Sequence, residues 1–130
     1  MHLKLVSESR WKVFAVAKDD DECELLDFLY SIPPNMEKSK TALLALFDHV
    51  ADNGPRDLPD KLSHQIDSGI WEFIKGRIRV LWFYDEGKIV ICSHGFIKKT
   101  QTTPKSEIDK VTKIKSKYID CKNEGSIELS

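Results

Sequence analysis

Two lysines stand side by side in GFIKKTQTTPKSEI, residues 95–108, between an apolar run and the start of a helical pattern. Adjacent ammonium groups repel and add nothing to a core, so Lys98 and Lys99 either meet an anion or stand in water as a solvated charge run. The distribution of charge leans toward the anion. The net charge is only -1, yet residues 71–119 carry 11 Lys/Arg against 5 Asp/Glu, whereas residues 1–70 carry 8 against 13. A basic third within an otherwise acidic chain is the asymmetry that attracts an anionic partner. Other chemistries find less support. Cys23, Cys92 and Cys121 are far apart and form no CxxC pair, and His2, His49, His64 and His94 are scattered, so zinc-type spacing is lacking. No metal and no cofactor are expected. The cysteines read as reduced thiols of a cytoplasmic protein. MHLKLVSESRW has no long apolar run or small-residue cleavage site, and no segment approaches the roughly 18 apolar residues of a membrane span.

The elements that must position these lysines follow from periodicity. With 130 residues, 41% of them hydrophobic and 32% charged, the chain reads as one globular domain over residues 1–121 with a frayed tail over 122–130. WKVFAVAK, residues 11–18, suits a first strand. Asp19, Asp20 and Asp21 then offer a turn and an N-cap for a helix carrying Leu25, Phe28, Leu29 and Ile32, which Pro33-Pro34 ends. A second helix is predicted from Glu37 to Asp52, with Leu43, Phe47 and Val50 on one stripe and Asn53-Gly54-Pro55 as its stop. Residues 56–69 read as a loop. Strands follow at 70–75, 77–85 and 88–97, turning at Gly76 and at Asp85-Glu86-Gly87. A last helix is predicted to begin with Thr103 as N-cap and Pro104 at its first position, its stripe formed by Ile108, Val111, Ile114 and Tyr118. The order β-α-α-β-β-β-α predicts an α+β domain in which the first strand joins a small, mostly antiparallel sheet and the helices cover one face.

This order, with IWEF, RIRVLWFY and IVICSHGFIKKTQTTPKSEI, resembles the RelE/ParE superfamily of bacterial toxins, and within it the HigB-like, phage-derived RelE-type group. Members carry a strand ending in His-Gly-Phe-x-Lys-Lys-Thr followed by Thr-Pro-x-x-Glu-Ile. His94-Gly95-Phe96-Ile97-Lys98-Lys99-Thr100 and Thr103-Pro104-Lys105-Ser106-Glu107-Ile108 reproduce both. The resemblance is strong over residues 70–119 and rests on element order over 11–69. It implies a RelE-like fold with an N-terminal α-hairpin. It further implies a type II toxin, usually an interferase that cuts mRNA on the ribosome, and a helix-turn-helix, HigA-like antitoxin that holds it in a hetero-oligomer.

Metal-free RNA cleavage needs a base near the 2′-hydroxyl, an acid near the leaving 5′-oxygen and cations around the phosphate. By position in the family pattern, Arg79 is the phosphate clamp, Lys98 and Lys99 carry cation and proton-transfer roles, and His94 is a further acid–base candidate. Arg77, Lys75, Lys105 and Tyr118 are the candidate RNA contacts. Each also has a plainer reading: Arg79 as a surface arginine, His94 as a core or rim residue, Tyr118 as part of the packing stripe. The chain departs from the family at one place. The pattern aromatic-Glu-apolar-Arg is met by Trp71-Glu72-Phe73 and then Ile74, so that Lys75 could take the arginine's role only through a bulge near Gly76. Two other functions fit parts of the pattern: a ParE-like gyrase inhibitor, and an inactive remnant that binds an antitoxin.

Overall fold

The computed structural model describes residues 1–19 and 22–130. Its elements, in chain order, are β1 (His2–Glu8), β2 (Lys12–Ala17), α1 (Glu24–Tyr30), a single 3-10 turn (Pro34–Met36), α2 (Glu37–Asn53), β3 (Ser63–Asp67), β4 (Ile70–Lys75), β5 (Ile78–Asp85), β6 (Ile89–Ile97), α3 (Lys105–Glu124) and β7 (Glu128–Leu129). The α+β class is as expected. The sheet is not small: seven strands run in the order β3-β4-β5-β6-β2-β1-β7, and it is mixed, with β2 parallel to β6 and β1 parallel to β7.

Three strands escaped the sequence reading, for physical reasons. The β1 strand, HLKLVSE, is half polar because it lies near the edge, paired to β2 and covered on its other side only by two-residue β7. The β3 strand, SHQID, has one apolar residue and takes its conformation from pairing with β4. The tail, expected to fray from Lys122, instead extends α3 to Glu124 and then returns to the sheet, where the Ser130 N–H donates to Leu3 O at 3.0 Å.

The helices do not share one face. Leu25 and Leu29 of α1 and Leu43, Phe47 and Val50 of α2 pack on Val13, Ala15, Phe73, Val80 and Trp82, while Val111 and Tyr118 of α3 pack with Leu3, Phe14, Leu81, Phe83 and Ile91 on the opposite side. Strand alternation creates both surfaces from the same strands, so the central strands are apolar on each side. Phe73 and Trp82 stack with centroids 4.7 Å apart at the heart of the α1/α2 layer. Burying a side chain of that size stabilises by roughly 1.5–3 kcal/mol.

Two glycines fix how the layers meet. Gly54 ends α2 at φ 79°, and a Cβ there would lie 2.7 Å from Trp11 Nε1, so the ring can close over the helix end only because the side chain is absent. A Cβ on Gly95, within the lysine motif, would meet Phe28 of α1 at 2.6 Å. The helix starts differ from expectation. At α1 the N-cap position is Cys23, with no side-chain cap; Asp19 instead accepts the Glu22 N–H at 2.9 Å, and Asp20 and Asp21 lie outside the described residues. At α3 the N-cap position is Pro104, because the Thr103 hydroxyl is used elsewhere. Among the described residues no helix is long and apolar enough to cross a membrane.

Candidate functional site

Where β5 begins and β6 ends, Arg77, Arg79, Lys98, Lys99, Thr100 and Gln101 line an open concavity of about 660 Å³. Antiparallel pairing brings them together: Ile78 stands opposite Ile97 and Arg79 opposite Phe96, so the residues just beyond each strand end converge. The start of the lysine segment is stapled to β5 twice, by Lys98 N–H donating to Arg77 O (2.8 Å) and Arg77 Nε donating to Lys98 O (3.3 Å). Among the described residues Lys98 and Lys99 have no acidic partner. Four cations share one shallow hollow, and three of them, Arg77, Lys98 and Lys99, have no acidic partner among the described residues, which suits the hollow electrostatically to an anion.

Arg79 makes the most side-chain hydrogen bonds of the four. It faces the α3 side of the sheet, and its terminal nitrogen donates to Gly76 O (2.7 Å) and Ile78 O (3.0 Å). Its Nε has no hydrogen-bond acceptor and lies 3.9 Å from Glu72 Oε1. Burial lowers the Arg79 pKa and the Glu72 charge partly restores it, while an arginine stays charged throughout the working range. Glu72 is itself fully buried: Oε1 accepts the Thr103 hydroxyl at 2.6 Å, and His64 Nε2 lies 3.1 Å from Oε2 without hydrogen-bond alignment. Sequence reasoning gave Glu72 no role. The signal was present, since Ile70, Glu72 and Ile74 share a strand face and a carboxylate between two isoleucines is out of pattern.

The other candidates separate from this group. His94 lies beneath the first turn of α3, 2% exposed, where Nδ1 shares a hydrogen bond with Ser93 Oγ (2.8 Å) and Nε2 is 3.7 Å from Glu107 Oε1. It reaches that face because Ser93 is an extra residue between the Leu81–His94 and Trp82–Cys92 pairs, a bulge that re-aims the strand. Burial, and then Lys110, push its pKa down to about 4, against a smaller opposing pull from Glu24. A neutral, enclosed imidazole is not placed to exchange protons with a ligand in the concavity.

Lys75 does not replace a family arginine. The β4–β5 ladder runs without a bulge, Ile74 opposite Arg79 and Lys75 opposite Ile78, so Lys75 faces α2 beside Leu46, His49 and Asp57. Tyr118 is remote as well. It is buried against Phe83, and its hydroxyl donates to Asp85, roughly 20 Å along β5 from Arg79. Lys105 is exposed in the first turn of α3, two residues after the Thr103 anchor.

The family described as "Phage derived protein Gp49-like (DUF891)" matches residues 27–116. The chain belongs to this family. Gp49-like proteins are a RelE/HigB-type toxin family, associated with the toxins of toxin–antitoxin systems, which gives an antitoxin partner its place. No curated protein matches the chain. The Gp49-like segment runs from α1 into α3 and contains the whole concavity, together with Glu72 and His94; β1, β2, β7 and Tyr118 lie outside it.

Proposed function

We propose that this Gp49-like chain is a HigB-like toxin of a type II toxin–antitoxin pair that cleaves mRNA on the ribosome, and that the basic concavity is where the scissile phosphate sits. The observation that carries the reading is the convergence of Arg77, Arg79, Lys98 and Lys99 within the family segment, with both lysines unneutralised. In this mechanism the substrate 2′-oxygen forms a bond to phosphorus as the 5′-oxygen leaves, producing a cyclic phosphate and a 5′-hydroxyl. Arg79, with Arg77 at the exposed rim, neutralises the charge that grows on the phosphate oxygens. His94 being enclosed, proton transfer falls to Lys98 and Lys99: one takes the 2′-hydroxyl proton, the other gives a proton to the 5′-oxygen. Lys105 extends the cationic track. A helix-turn-helix antitoxin restrains the toxin by covering this hollow in a hetero-oligomer.

The test is end-mapping of a reporter mRNA in a bacterial translation extract, with the protein and with its Lys98→Ala/Lys99→Ala variant. Cuts on translated message that fall by at least about 100-fold in the variant are the expected result, the magnitude typical of removing preorganised charge stabilisation. A second reading rests on Ile74, which sets an apolar side chain opposite Arg79 where the family pattern has arginine. Intact message at high protein concentration would overturn the cleavage reading and favour a remnant that only binds its antitoxin.

A further inference from the structure

A fully buried carboxylate beside a hollow built for anions is an apparent contradiction. Glu72 is 0% exposed and occupies a strand position whose neighbours on the same face, Ile70 and Ile74, are apolar. Taking a charge out of water costs several kcal/mol unless its surroundings compensate. Its compensation here consists of the Thr103 hydroxyl at 2.6 Å, His64 Nε2 at 3.1 Å and Arg79 Nε at 3.9 Å.

Two of those contacts reach the basic hollow. Thr103 closes the segment that begins at Lys98. That segment is tied at its start to β5 through Arg77 and at its end to β4 through Glu72, with Thr100 Oγ1 donating to Thr102 O at 2.8 Å between the ties. Cutting the second tie frees the lysines to swing with the loop. Arg79 is held by two backbone carbonyls on one side and faces Glu72 on the other, while its buried Nε lacks any hydrogen bond. Among the described residues the carboxylate is the one negative charge that compensates the burial of that guanidinium.

We infer that Glu72 is a positioning residue of the concavity, holding Arg79 and the Lys98–Thr103 segment in place, so that RNA binding depends on a negative charge lying beside the site. The inference rests on the reading of the hollow as an RNA phosphate site. Its sign separates it from simple electrostatics. If Glu72 acted only through its charge, its removal would strengthen the pull on phosphate and tighten RNA binding. As a positioning residue, its removal weakens binding.

The experiment uses the full chain and a fluorescent 2′-O-methyl oligoribonucleotide, which lacks the attacking hydroxyl, with binding followed by anisotropy across a salt series. Glu72→Gln keeps an acceptor for Thr103 and removes the charge. We expect its affinity to fall about tenfold, its salt slope to drop by about one contact as in Arg79→Ala, and the double variant to bind no worse than Arg79→Ala alone. Thr103→Val cuts the tether, leaves the carboxylate, and should lose about threefold. Unchanged or tighter binding by a Glu72→Gln protein that melts normally overturns the inference.

A second readout needs no RNA. In the 1H–15N spectrum the Arg79 Nε–H signal should stand apart from those of exposed arginines and move into their range in Glu72→Gln. A signal that stays in place also overturns the positioning role. If the wild type fails to bind the oligonucleotide, or Arg79→Ala binds as the wild type does, the RNA reading falls, and the arginine signal still decides what Glu72 does.

Discussion

At one end of β5, Asp85 accepts hydrogen bonds from the Tyr118 hydroxyl, from Lys122 Nζ at 2.7 Å and from the Glu86 N–H at 2.7 Å; at the other end, among the described residues, Arg79 has a buried Nε with no acceptor and two lysines nearby with no acidic partner. Both ends join strand, hairpin or loop, and the helix α3, and both contain charged side chains. Burial pushes Asp85 upward, but its three donors together outweigh burial and hold the carboxyl below its ordinary value. That end is a closed electrostatic unit that fastens α3 to the sheet. The Arg79 end is left open. Glu72 faces Arg79 there, but Lys98 and Lys99 have no acidic partner among the described residues, so single substitutions should cost stability at the closed end and anion binding at the open one.

The largest effect bearing on this contrast concerns His94, next to the open end. Its folded pKa is pushed down to about 4 from an ordinary 6.5, chiefly by burial. The unfolded chain therefore takes up a proton as pH falls below about 6.5, while the folded chain does so only near pH 4. Stability is lost across that window. The full shift corresponds to roughly 3 kcal/mol. Glu107, whose carboxyl is raised mainly by burial, works the other way and returns part of the loss, because its folded form binds a proton more readily. Urea unfolding between pH 7 and pH 4 should show His94→Gln losing markedly less stability than the wild type. Parallel curves for the two proteins would mean that the imidazole has access to water and to the concavity, and would return it to the list of acid–base candidates.

Much of this division was legible in the sequence, and the illegible parts share a cause. Strands β4, β5 and β6 were readable because both of their faces are apolar or aromatic, and α2 because Leu43, Phe47 and Val50 keep helical spacing up to a Gly-Pro stop. The lysine pair drew notice through its charge, but charge alone fits a solvated run as well, and the resemblance of HGFIKKT and TPKSEI to a family motif is what made it an anion-site candidate. What failed was whatever takes its conformation or its role from a partner rather than from its own residues. Strand β3 needs β4, and β7 needs β1. Thr103 looks like a helix cap until Glu72, 31 residues earlier, claims its hydroxyl. His94 and Tyr118 are types that do chemistry in solvent, and only the packing of α3 shows that both are enclosed.

A middle-sized effect tests the closed end. Tyr118→Phe removes one hydrogen bond to a carboxylate and leaves the ring packed on Phe83. The expected cost is about 1–2 kcal/mol in denaturant unfolding, with RNA binding and cleavage unchanged. Tyr118 is so desolvated, and so close to the Asp85 charge, that its pKa is raised, which makes it a poor proton donor or acceptor in the neutral range. A loss of cleavage without loss of stability would show that the two ends communicate through α3.

The smallest effect is a predicted absence, and it cuts between the two faces rather than the two ends. Lys75 follows Ile74 in β4 and precedes Arg77 by two residues, so proximity in sequence favours a shared role. The ladder separates them. Lys75 pairs with Ile78, in the α1/α2 layer, and lies beside His49 and Asp57, while Arg79 pairs with Ile74 on the α3 side. A sheet stands between the two cations, and a phosphate held by one cannot touch the other. Lys75→Ala should therefore bind the uncleavable oligonucleotide within about twofold of the wild type and keep its salt slope, whereas Arg77→Ala, on the rim of the concavity, should lose about one ionic contact. If instead Lys75→Ala reduced the slope as Arg77→Ala does, the RNA would have to pass around the edge of the hairpin. Lys75 would then supply from the far face the charge that Ile74 withholds from the near one.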